Sequence, residues 1–332
     1  MLRVPVALTS FGRLVCVPLM LVLTGQQSVT REEPITPIVV ERSVEMAKLS
    51  LGERLFRDAR LSHGDAVSCE SCHRLEHSGD DGSVRSSATD GSTLDFNTPT
   101  VFNAALNFRL NWRGNFRTLE EHNEAVLLDR TLMNTTWQEL LPKLRSDPSY
   151  RNSFTEIFDA PPERDNVLDA LAAFQRSLTT PNARFDRYLQ GERTAITADE
   201  ERGYLLFKSY GCIACHQGMN VGGNLFQRFG IFANPFANQP IETDGDLGRF
   251  VVTRREQDRH VFRVPSLRNV AVTAPYFHDG RTTTLAKAVE IMARNQLGRV
   301  LSEPDVELIV KFLGTLTGEY RGRSLTSVKS VQ

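Results

Sequence analysis

Cysteine is scarce in this chain of 332 residues: it has five, and four of them stand in two short clusters. Cys69 and Cys72 belong to "CESCH", and Cys212 and Cys215 to "CIACH". The fifth, Cys16, lies in an N-terminal apolar run, so no thiols remain for a disulfide framework. Neither sign of charge is in excess: 39 Lys and Arg against 40 Asp and Glu give a formal net charge of -1. A nucleic-acid binder would carry a basic stripe, and none is visible. Apolar runs of membrane length are missing as well. "LVCVPLMLVLTG", residues 14–25, is too short to span a bilayer comfortably. With Arg3 and Arg13 before it and small residues after, it reads as a secretory signal over 1–25, an uncleaved anchor being the competing reading. Period-2 runs are few, and only "GRFVVTRRE" suggests a short strand.

What is present is helical pattern. Hydrophobic residues make up 40% and charged residues 24%, enough to build a core. "VERSVEMAKLSLGERLFRD" and "TADEERGYLLFKSYG" each carry apolar residues at helix spacing and each precede a C-x-x-C-H cluster. Thr197 and Glu200 have the spacing of a capping box. The repeat of helix, turn and cluster implies two modules of one kind. Between them, "HSGDDGSVRSSATDGSTLDFNTP" reads as a long loop, and helices resume over "RTLEEHNEAVLL" and "DNVLDALAAFQRSLTT". "SEPDVELIVKFLGTLT" has a serine cap, acidic first turn and apolar face. The expected fold is mainly α: an N-terminal module over 34–185, a C-terminal module over 190–300 joined through 181–196, and a late helix within 301–320 packing back on the first module.

C-x-x-C-H supplies the minimum for covalent c-type haem: two thiols to add across the vinyl groups and a histidine to rise under the iron. Export suits that attachment. A zinc site would need four ligands, usually from motifs close in sequence, and a redox dithiol would not call for histidine after both second cysteines. Haem is the favoured reading, with Cys69, Cys72 and His73 holding one and Cys212, Cys215 and His216 the other. Two haems imply electron transfer or reaction with an oxidant, and the sixth iron ligand separates the two.

The chain resembles the bacterial di-haem cytochrome c peroxidases and the related di-haem enzymes that mature methylamine dehydrogenase. The likeness runs from about residue 45 to about residue 320 and rests on "NTPTVFNAALNFRLNW", "CHQGMNVGGNLFQRFG", "FRVPSLRNVAVTAPYFHDG" and "AVEIMARNQLG" besides the haem motifs. It implies a periplasmic enzyme that reduces hydrogen peroxide with electrons from a small cytochrome c or copper protein. The N-terminal haem would be peroxidatic and the C-terminal haem the high-potential donor. Met292 matches the methionine ligand of that second iron, and Trp112 the tryptophan between the haems. Asn97, Thr273 and Pro275 match an inter-haem calcium site, and His278 a histidine at the haem edge. Many members are homodimers, which is an expectation here too.

Three departures fall in the peroxide pocket. Leu132, before Met133, stands where the family has an acidic residue. His122 replaces a glutamine, and the usual W-D-G-R becomes Trp112-Arg113-Gly114-Asn115. Splitting the O–O bond needs a group that shuttles a proton, which leucine cannot do. His122 is the candidate substitute, with a solvated place on a charged helix as the alternative. The departures also keep open an oxidase acting on another protein or organic substrate, and a non-catalytic electron-transfer or sensing relative. His63, His77 and His260 lack partner motifs and are expected at the surface or behind the haem.

Overall fold

The structure is a computed structural model describing residues 1–2, 33–39, 45–237 and 242–326. The signal segment expected over 1–25 lies, but for Met1 and Leu2, outside the described residues. From Pro34 onward the chain forms one compact unit.

Two apolar clusters organise it, each built on a crossed helix pair. In the first, α1 (Met46–Arg57) lies on α6 (Arg164–Ser177), with Leu51, Leu55 and Phe56 against Val167, Leu171 and Phe174. In the second, α8 (Ala198–Tyr210) lies on α11 (Glu303–Gly314), with Tyr204 and Phe207 against Ile309, Phe312 and Leu313. Each such side chain contributes on the order of 1.5–3 kcal/mol through burial. Both pairs meet at a glycine. A Cβ on Gly52 would overlap the Ala170 carbonyl oxygen and stand 2.7 Å from Phe174 Cβ. A Cβ on Gly203 would overlap the Leu308 carbonyl oxygen and stand 3.0 Å from Phe312 Cβ. The duplication read from the motifs thus extends to the packing.

The helix ends follow the expected chemistry. Thr197 Oγ1 accepts the Glu200 amide at 3.3 Å, and Glu200 Oε2 accepts the Thr197 amide at 2.7 Å. Gly211 closes α8 in the left-handed region at φ 95°. Ser302 caps α11. Thr197→Ala is expected to lower stability by about 1 kcal/mol, read as a lower urea midpoint at unchanged m-value; an unchanged midpoint would reject the box as a stabilising element.

The remaining helices are α2 (Cys69–Cys72), α3 (Leu119–Leu128), α4 (Trp137–Ser146), α5 (Pro148–Phe158), α7 (Arg184–Leu189), α9 (Phe250–Thr253) and α10 (Leu285–Leu297). Sheet among the described residues is limited to two antiparallel pairs. One joins β1 (Phe226–Arg228) to β2 (Val261–Arg263), and the other β3 (Glu319–Tyr320) to β4 (Arg323–Ser324).

The structure corrects one expectation. "GRFVVTRRE" is not a strand: its centre is the single helical turn α9, set between Gly248 at φ 58° and Arg254 at φ 58°. These left-handed residues break an extended run at both ends. The late helix packs its apolar face on α8, through Ile309, Phe312 and Leu313. What returns to the first cluster is the segment after it, through Tyr320 and Leu325. Residues 34–38 lie on the second half: Ile35 is buried in that cluster, and Gly218 N–H donates to Pro34 O at 2.7 Å. Fully buried Arg268 secures the crossing, donating to Asp186 Oδ1 at 2.7 Å and to Thr36 O at 2.9 Å.

Candidate haem sites

Each C-x-x-C-H cluster folds as one tight turn that ends on its histidine. The amides of His73 and His216 donate to the carbonyls of Cys69 and Cys212, at 2.9 and 3.1 Å. The imidazoles are then fixed in the same way. His73 Nδ1 faces Gly79 O at 3.1 Å, and His216 Nδ1 faces Val221 O at 3.4 Å. A carbonyl only accepts, so Nδ1 carries the proton and Nε2 keeps its lone pair. Burial holds both rings neutral, pushing His73 below its usual value and His216 down to about 4. The four motif cysteines form no disulfide. Burial raises the thiols of Cys69, Cys72 and Cys212 above their usual value, Cys69 to about 12 and Cys212 to about 11.

Around the second cluster lies a cavity of about 430 Å³, walled by Cys212, Cys215, His216, Phe229, Met292 and Leu313 among others. Its lining is largely apolar, and Met292 on α10 brings a thioether to the same space as His216. Thiol pair, neutral imidazole, apolar walls and thioether together suit a c-type haem. Asn97, Thr273 and Pro275 line this cavity too. Asn97 Nδ2 donates to Ser83 O at 2.8 Å, and Oδ1 has no protein partner among the described residues.

Trp112 sits on the cavity wall and is buried. Its indole Nε1 donates to Asn97 O at 2.9 Å, and its carbonyl accepts the Arg263 amide at 3.0 Å. One helix further on, α3 holds His122 half-buried, edge-on to Phe116 at 5.3 Å between ring centroids. Burial pushes His122 down to about 4, with His73 and Arg263 adding to the shift. Neither ring nitrogen has a protein partner among the described residues. Leu132 follows in a half-buried turn, and Met133 is buried in the first cluster.

His278 is buried against Phe262, 4.6 Å between centroids, and its Nε2 donates to Asp246 Oδ1 at 2.8 Å. Burial opposes the charge on Asp246, but hydrogen bonds from His278 and Thr243 outweigh it and hold the carboxyl well below the usual carboxylate range. That partnership fixes the orientation of the His278 ring on the cavity wall. The remaining histidines lie elsewhere. His63 pairs with Glu139 at 3.0 Å, His260 pairs with Glu242, and His77 Nδ1 meets Thr326 Oγ1 at 3.4 Å. Sequence reading missed Asp246 and Arg263. Asp246 is 32 residues from its histidine, and nothing local announces either side chain as buried.

This arrangement is that of a di-haem peroxidase-type oxidoreductase. A family model described as di-haem cytochrome c peroxidase matches residues 46–194, and the chain belongs to that family. It is 40% identical over 291 residues to the cytochrome c551 peroxidase of Nitrosomonas europaea, covering 86% of this chain and 85% of the relative. It is 39% identical over 291 residues to the cytochrome c peroxidase Ccp of Escherichia coli; that match covers 87% of this chain and spans 62% of the relative's length. Among solved structures, a MauG-like protein associated with microbial copper homeostasis superposes with a TM-score of 0.74 at 27% identity, covering 88% of this chain and 95% of that one.

Proposed function

We propose that the chain reduces hydrogen peroxide to water at the N-terminal haem, using electrons taken up from a small cytochrome c or copper protein at the C-terminal haem. Cys69, Cys72 and His73 hold the first haem, and Cys212, Cys215, His216 and Met292 the second. The observation that carries this reading is the pair of half-buried neutral histidines, each held at Nδ1 by a carbonyl and set beside its thiols. When bound, one haem iron supplies peroxide reduction and the other one-electron relay. Peroxide takes two electrons and two protons and leaves as two waters.

The chain's own residues supply position and protons. Trp112, held at its indole by Asn97 and at its carbonyl by Arg263, keeps a rigid aromatic bridge on the wall between the sites. His122 stays neutral down to about pH 4, so a free ring nitrogen can take a proton from one peroxide oxygen and return it to the other. Leu132 contributes only apolar surface. Oxygens of Asn97, Thr273 and Pro275 suit a hard calcium ion beside the second haem. The N-terminal apolar run and the c-type motifs support export to the periplasm.

Holoprotein mixed with reduced small cytochrome c and hydrogen peroxide is expected to oxidise two donor equivalents per peroxide, well above the rate of free haem. A rate equal to that of free haem overturns the proposal. Leu132, standing where the family carries an acid, favours a second reading in which peroxide oxidises another protein or an organic substrate. In that case donor oxidation stays at the free-haem rate while an added phenol is consumed at the expense of peroxide.

A further inference from the structure

Arg263 is 5% exposed, and among the described residues it has no carboxylate partner. Its Nε donates to Asn111 O at 3.3 Å, and Nη1 donates to Asn107 Oδ1 at 3.1 Å and Val264 O at 3.4 Å. All three acceptors are neutral, and Nη2 has no protein partner among the described residues. The contrast with Arg268 is direct: that guanidinium, 2% exposed, is paired with Asp186. Burial alone lowers Arg263 to about 10, which leaves it charged at neutral pH. An unpaired buried cation costs several kcal/mol unless an anion meets it. No carboxylate of the described chain does so, yet Arg263 lines the cavity around His216 and Met292.

We propose that the Arg263 guanidinium is the binding site for a propionate carboxylate of the haem seated in that cavity. A guanidinium fork matches a carboxylate in two parallel hydrogen bonds, and haem carries the only carboxylates the site's chemistry calls for. The fork is rigidly mounted. Its strand β2 pairs with β1 through Phe226 opposite Arg263, and its own amide is bonded to Trp112 O. One cation therefore ties the haem carboxylate to the main chain of Trp112, and its field also reaches His122. This assignment rests on the haem reading of Cys212, Cys215 and His216, but not on peroxide turnover.

The test is a potentiometric titration of holoprotein, followed in the visible haem bands, for wild type, Arg263→Gln and Arg263→Lys. A cation beside the haem favours the reduced form, so Arg263→Gln is expected to lower the potential of the C-terminal haem. Its carboxylate, losing the cation, titrates nearer neutrality, so the potential becomes dependent on pH between about pH 5 and 8. Arg263→Lys retains charge and is expected to lie close to wild type. If Arg263→Gln binds both haems and matches wild type in potential and pH dependence, the assignment is overturned while the haem reading stands. Should Arg263→Gln fail to fold, Arg263→Lys decides: loss of the fork is expected to shift the propionate-bending band in resonance Raman spectra, and an unshifted band overturns the assignment. A pyridine haemochrome assay giving fewer than two haems per wild-type chain overturns both the haem reading and this proposal.

Discussion

Gly203→Ala is expected to destabilise the holoprotein by about 3 kcal/mol, lowering its urea midpoint. The sign is the informative part. In an exposed helix interior the same change gains about 1 kcal/mol, because alanine gives up less backbone entropy. Gly203 has helical geometry within α8, so local propensity alone favours alanine. Packing opposes it. The new Cβ would overlap Leu308 O and crowd Phe312 Cβ at 3.0 Å. A backbone oxygen cannot rotate away as a side chain can, so α8 and α11 must separate along their whole contact. That contact buries Phe207, Ile309 and Phe312 beside the second haem motif. Gly52→Ala is expected to act alike in the first cluster, through Ala170 O and Phe174. The two glycines lie in different clusters, so the double variant is expected to lose about the sum of the two changes. A Gly203→Ala protein at least as stable as wild type would mean that α8 and α11 do not meet closely there.

The same glycines mark the limit of what the sequence discloses. The Thr197 and Ser302 caps and the helical pattern are local, set by residues within a turn or two of each other, and the structure bears them out. The partner of each helix is not local. Nothing within "SEPDVELIVKFLGTLT" says that its apolar face fits α8. "GRFVVTRRE" misled for a different reason: β-branched valines suggested a strand, while Gly248 and Arg254 impose left-handed turns on either side. At the site, resemblance brought out Trp112, Met292 and His278, but the polar partners that fix them are tertiary. Asp246 orients His278 from 32 residues away. Arg263 and Arg268 stand five residues apart in sequence and are both buried, yet only one meets a carboxylate.

His122→Leu is expected to lower peroxide turnover by about 10²- to 10⁴-fold, the range that a positioned proton-transfer group supplies. The pocket leaves little else to do the work, since Leu132 has no proton to move. The wild-type pH profile carries the sign. A solvent-exposed histidine would be half protonated near pH 6.5, and a base of that kind would lose half its effect there. His122, depressed to about 4 by burial and then by His73 and Arg263, remains a free base through that range. Turnover should therefore hold as pH falls and decline only near pH 4, where the ring gains its proton. Stability moves in the same direction: the unfolded chain binds this proton first, so the contribution of neutral His122 is lost as pH falls from about 6.5 toward 4. His122→Leu should remove the acid limb of the rate profile along with the rate itself. Adding Leu132→Glu to His122→Leu tests the pocket from the other side, because a carboxyl there again offers a proton shuttle and is expected to recover part of the lost turnover. Full activity in His122→Leu, with two haems bound and an unchanged pH profile, would remove His122 from the chemistry.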